Sequence, residues 1–142
     1  MKRHFFFPLM LVLLAFSVIC GCGAASTPLT YGGGSARALL QKDFTAADMR
    51  EAILRACYMT QWHAADADAN TIEARTLVGN RYSVVVVIRY SAAEYAINYR
   101  DSVNMDYAFN DADGTYTINR KYNVWVGKLD RSIQTHIAQR TI

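Results

Sequence analysis

Val84-Val85-Val86-Val87-Ile88 puts five β-branched side chains in a row. Such residues lose rotamer freedom in a helix and fit a pleated surface, so the run reads as a strand. A strand with one buried face alternates apolar and polar residues, whereas this one is apolar on both faces. Tyr82 to Tyr90 is therefore expected as the central strand of a sheet.

Neighbours for it are close in the chain. Thr71 to Leu77 is β-compatible, with Ile72, Ala74 and Thr76 opposite Glu73, Arg75 and Leu77. Val78-Gly79-Asn80 reads as a turn in which glycine supplies positive φ. Ser91-Ala92-Ala93-Glu94 leads into Tyr95–Arg100, where Tyr95, Ile97 and Tyr99 alternate with Ala96, Asn98 and Arg100. Connections this short join antiparallel strands, so a three-stranded meander is expected. Asp101 to Asp113 reads as an irregular, polar and aromatic continuation, closed by a tight turn at Asp113-Gly114.

A helix is expected on each side. Before the strands, Thr45 is the N-cap and Asp48 completes an acidic capping box. Met49, Ala52, Ile53, Ala56, Cys57 and Thr60 recur at helical spacing, with Leu54 and Tyr58 broadening the face. The helix fades near Gln61; Trp62 is a packing anchor, and Asp66, Asp68 and Asn70 form a polar loop. After the strands, from about Asn119, Tyr122, Trp125, Val126, Leu129, Ile133 and His136 or Ile137 share one face. The order is α-β-β-β-α. The expected class is α+β, a two-layer fold with both helices on one face of the meander, in a single domain over residues 43–142.

The N-terminus reads as an address. Lys2, Arg3 and His4 precede an apolar run from Phe5 to Cys20, broken only by Pro8 and Ser17. As a helix these 16 residues reach only about 24 Å, short of a hydrocarbon core of ~30 Å, which suits a secretory leader better than a membrane span. The run ends Ile19-Cys20-Gly21-Cys22-Gly23, which resembles the lipobox of bacterial lipoproteins, with an aliphatic residue three before the cysteine and a small one directly before it. The resemblance implies a signal peptide over 1–21, cleavage between Gly21 and Cys22, and acylation of Cys22. Several acyl chains hold a protein on a membrane stably, where one holds it reversibly. Gly23, rather than aspartate, matches the outer-membrane default of such proteins in diderm bacteria. Residues 23–36, GAASTPLTYGGGSA, are small and turn-forming, so 22–42 is expected to be the lipidated cysteine and a flexible tether.

Processing also changes the arithmetic. The chain carries 15 Lys and Arg against 12 Asp and Glu. Without Lys2 and Arg3 the balance is 13 to 12, too even for a nucleic-acid binder. From Ile118 on, Arg120, Lys121, Lys128, Arg131 and Arg140 face only Asp130, a pattern that suits a solvated helix face or contact with anionic lipid or cell-wall polymer. Cys57 is the one thiol left, so the exported chain has no internal disulfide and folds by its core alone.

Chemical motifs are sparse. Asn110-Asp111-Ala112-Asp113-Gly114 suggests a calcium loop, but aligning Gly114 with the invariant glycine puts Phe109 first and Arg120 twelfth, where acidic ligands belong. His63 and His136 lack zinc-ligand spacing, and no nucleophile elbow is present. No catalytic residue, metal ligand or cofactor site is assigned, and the chain is expected not to be an enzyme. The expected partner is the membrane, through the anchor, with an envelope protein or cell-wall component beyond it. The alternative is a polar pocket for a peptide, glycan or headgroup between the third strand and the second helix, formed by Tyr99, Asn104, Tyr122 and Asn123 with Arg89 adding charge.

These residues carry a second resemblance. Tyr99-x-x-Ser102-x-Asn104-Met105-x-Tyr107, then Ile118, then Tyr122-Asn123-x-Trp125-Val126-x-x-Leu129, is similar to a family of small bacterial lipoproteins of unknown function. The likeness spans roughly residues 45–137 and implies a helix, three strands and a helix behind a lipobox. Two positions depart from the pattern: Thr60-Gln61 stands where Arg-Gly precedes the tryptophan, and Asn119 where a basic residue or histidine follows the isoleucine.

Overall fold

The computed structural model describes residues 26–29, 32–35 and 43–140. The expected leader, the expected lipobox with Cys22 and parts of the expected tether lie outside the described residues. The fold is mixed α+β, with two helices and two antiparallel sheets. In chain order the elements are β1 (Ser26–Pro28), β2 (Gly32–Ser35), α1 (Ala46–Met59), β3 (His63–Asp68) and β4 (Thr71–Val78). β5 (Tyr82–Tyr90), β6 (Glu94–Val103), β7 (Ala108–Asn110), β8 (Thr115–Asn119) and α2 (Arg120–Arg140) follow.

The larger sheet runs β2-β6-β5-β4-β3, with the valine-rich β5 at its centre. The register lines Ile72 up with Ile88 and Ile97, and Ala74 with Val86 and Tyr99. These side chains, except the half-buried Tyr99, are buried in one cluster with Met49, Ala52, Ile53, Ala56 and Cys57 of α1 and Tyr122, Val126, Leu129, Ile133 and Ile137 of α2. The alternate positions Arg75, Arg89 and Ala96 are exposed. At Gly79 and Asn80 φ is +60° and +53°, the primed turn whose twist matches the strands it joins.

Both helices begin where their sequences say. Thr45 caps α1 in a full capping box with Asp48, and α2 starts directly after Asn119, whose Oδ1 accepts from the Lys121 amide at 3.1 Å. Tyr58 differs from expectation: it is 83% exposed, so the buried face of α1 stops at Cys57. No helix among the described residues is long and apolar enough to cross a membrane.

The expected count of three strands is too low. His63–Asp68, read in part as a polar loop, is the edge strand β3, paired with β4 in spite of its alanines and aspartates. Thr115–Asn119 is β8, at the centre of a second sheet ordered β1-β8-β7. Two pieces of the segment expected as a tether are also strands: β1 pairs with β8, and the glycine-rich β2 pairs with β6. Glycine weakens a strand but still supplies a ladder donor and acceptor, and an edge position asks for little else.

Candidate functional site

The structure brings two of the five expected pocket residues together. Tyr99 of β6 and Tyr122 of α2 meet edge to face, with ring centroids 5.7 Å apart. Tyr122 is fully buried. Tyr99 is half-buried, its Oη 3.0 Å from Ser102 Oγ, and burial raises its phenol pKa. Tyr107 stacks on Tyr99 at 4.2 Å, Tyr116 lies parallel to Tyr107 at 5.3 Å, and Phe109 tilts against Tyr116 at 5.0 Å. The run of rings leads from the core to the surface and spends ring faces on one another, where a stacking ligand needs a free face.

The other three residues take partners elsewhere among the described residues. Arg89 pairs with Thr71 and Ala96 on the exposed face of the sheet, whereas Tyr99 pairs with Val86 on the buried face. Asn104 has φ +58°, and its Nδ2 donates to the Arg81 carbonyl at 2.7 Å. Asn123 Nδ2 donates to Thr27 Oγ1 and to the Pro28 carbonyl, both at 2.9 Å. Both amides therefore bond backbone, one bracing a bend and the other holding β1 against α2.

Chemistry is equally constrained elsewhere. Burial pushes the Cys57 thiol up to about 12, which leaves it without nucleophilic thiolate at neutral pH. Burial, reinforced by a 2.6 Å bond donated to Asp130 Oδ1, raises the Tyr95 phenol. Asp130 also accepts from Gln134 Nε2 at 3.0 Å, so Tyr95 ties the sheet to α2 through a shared carboxylate. Asn110 and Asp113 bond the local backbone of a turn, accepting from the amides of Ala112 and Thr115. Among the described residues no three His, Cys, Asp or Glu side chains are grouped to hold a metal.

The surface features that periodicity missed are apolar. Tyr58 and Met59, 83% and 66% exposed, line an open groove of about 480 Å³ with Leu54, Glu51, Arg55 and His136. The signal for it lies in the last turn of α1, where an aromatic and a methionine follow the final core-facing residue, Cys57. A second shallow groove of about 400 Å³ lies along β3, lined by alanines with His63, Asp66, Glu73 and Arg75. Comparison of the chain with family profiles, with curated proteins and with solved structures finds no match.

Proposed function

We infer that this chain is a lipid-anchored bacterial envelope protein whose folded part is non-catalytic and holds another envelope protein. The observation that carries the reading is the sequence Ile19-Cys20-Gly21-Cys22 at the end of an apolar run, a lipobox whose cysteine comes four residues before the first strand. The resemblance to small bacterial lipoproteins of unknown function agrees with the anchor, and the outer membrane is the proposed site because Gly23 follows the cysteine. Exposed Tyr58 and Met59 support a docking role, since aromatic residues and methionine are enriched where proteins bind one another.

The same reading takes the fold as two layers, α1 and α2 over one face of the β4-β5-β6 meander. The alternation of buried Ile72, Ala74 and Thr76 with Arg75 and Leu77 on the other side supports this arrangement.

Metabolic labelling with a fatty acid tests the anchor: label is expected on the wild type and not on Cys22→Ala, and unlabelled wild type overturns the reading. A photo-crosslinking residue at Tyr58 in living cells tests the docking role. It should yield one discrete adduct with an envelope protein, absent from the same probe at Ala65, and Met59→Asp should cut the yield about tenfold. Equal adducts from both positions reject the groove as the docking site.

A further inference from the structure

We propose that the outer face of α2 lies on the surface of the bilayer that holds the anchor and contacts its anionic headgroups. The proposal rests on the lipoprotein reading and adds an orientation to it.

The first argument is the length of chain between anchor and fold. β1 pairs antiparallel with β8, and Ser26 is level with Asn119, the residue before α2. Cys22 precedes Ser26 by four residues, which reach at most about 14 Å when fully extended. The anchor is therefore confined near the N-terminal end of α2, instead of swinging on the twenty-residue tether the composition suggests.

The second argument is charge. Arg120, Lys121, Val124, Lys128 and Arg131 are all exposed. At 100° per residue they fall within an arc of about 100°, opposite the buried Tyr122, Val126, Leu129 and Ile133. No carboxylate lies among them, and Asp130 points to Tyr95 and Gln134. Arg120, Lys121, Lys128 and Arg131 have no ion pair with any described residue, whereas Arg50, Arg55 and Arg100 each have one and Arg140 has two. Arg81 adds a fifth cation, for its guanidinium and the Lys121 ammonium both face the Tyr82 ring, at 5.3 and 3.9 Å from its centre. At this root Asp106 supplies one negative group, which accepts from Asn119 Nδ2 at 3.4 Å. Cations gathered without ion-pair partners repel one another, and an anionic surface within a Debye length relieves that repulsion. Exposed Val124, amid the cations, suits the apolar side of the headgroup layer.

The test uses the full chain expressed with its leader, extracted in detergent and reconstituted into vesicles. Intact mass reads the state of Cys22 first. Cys57 is buried, so a nitroxide reagent reports from Val124→Cys on α2 or from Ala65→Cys on the outer face of β3. With about 30% phosphatidylglycerol, the Val124 label should sense headgroup-bound nickel at least about threefold more strongly than the Ala65 label. About 0.5 M salt, or the triple variant Lys121→Glu/Lys128→Glu/Arg131→Glu, should abolish the contrast. Equal signals from the two labels on an acylated chain overturn the orientation and leave the anchor standing. A contrast that survives both salt and the triple variant overturns the headgroup contact. An unmodified Cys22 removes the anchor and the orientation together.

Discussion

Gln61 sits at φ +63°, in the left-handed region that costs a side-chain-bearing residue about 1 kcal/mol. The cause is the end of α1. The Trp62 amide donates to the Cys57 carbonyl at 2.8 Å and the Gln61 amide to the Tyr58 carbonyl at 3.2 Å, the paired bonds of a Schellman cap, whose left-handed position is usually glycine. Trp62 and Cys57 are both buried and supply the apolar contact that goes with such a cap. The strain is thus imposed by the need to turn Trp62 into the core. Gln61→Gly is expected to raise stability by about 0.5–1 kcal/mol, read as a higher urea midpoint at unchanged slope. A lower midpoint would mean that the glutamine side chain contributes more than its backbone costs. Arg89 and Tyr99 fail to share a face of the sheet for a reason at the same scale. The register pairs Val86 with Tyr99 and Arg89 with Ala96, three residues further on, and which face a residue of one strand shares with a residue of the next cannot be read without that register. So the sequence shows Arg89 and Tyr99 as neighbours in composition but not as residues on opposite faces.

Among the elements, what was legible had a local cause. α1 shows its cap and its 3.6-residue period, α2 its buried stripe, and β5 its β-branched run; each is stated by residues close in the chain. β3 has neither β-branched nor aromatic residues and becomes a strand because β4 offers it a ladder. β1 and β2 likewise depend on partners about 90 and 60 residues away, so tertiary pairing overrides their weak propensity. The well-marked start of α1 predicts a pH effect. The Asp48 carboxyl is held below its ordinary value of 3.8, first by the Thr45 side chain and backbone and then by Arg140, whose Nη1 is 2.7 Å away. As the pH falls below 3.8, the unfolded chain takes up a proton at Asp48 before the folded one does. The contribution of Asp48 is therefore complete above that value and lost as the pH drops through the lowered folded pKa. Melting curves from about pH 5 to pH 2 should show a shallower fall for Asp48→Asn than for wild type. Identical slopes would remove the capping box from any account of acid unfolding.

The whole molecule is closed by its ends. Arg140, in the last turn of α2, reaches Asp48 and Glu51 in the first half of α1, and β1 joins the small sheet beside the start of α2. A three-residue strand buries little beyond the adjoining Leu29, which packs against the core, so polar bonds share in holding β1: the Asn123 amide on Thr27 and Pro28, and the Leu29 amide on the Tyr116 carbonyl at 2.8 Å. This clasp decides whether an anchor at Cys22 holds the body close or on a longer leash, because a detached β1 leaves 23–31 as spacer, up to β2 in the larger sheet. Asn123→Ala should release β1 alone. Amide exchange at Leu29 is expected to speed up about tenfold, matching the loss of hydrogen bonds worth about 1–2 kcal/mol. The amides of β5, deep in the larger sheet, should keep their rates except by whatever small amount global stability falls. If Leu29 exchanges at the wild-type rate, backbone pairing with β8 suffices to hold β1, and Asn123 is a passenger at the seam. If β5 accelerates as much as Leu29, β1 does not open by itself but belongs to the same cooperative unit as the core, and the closeness of the proposed anchor is as durable as the fold.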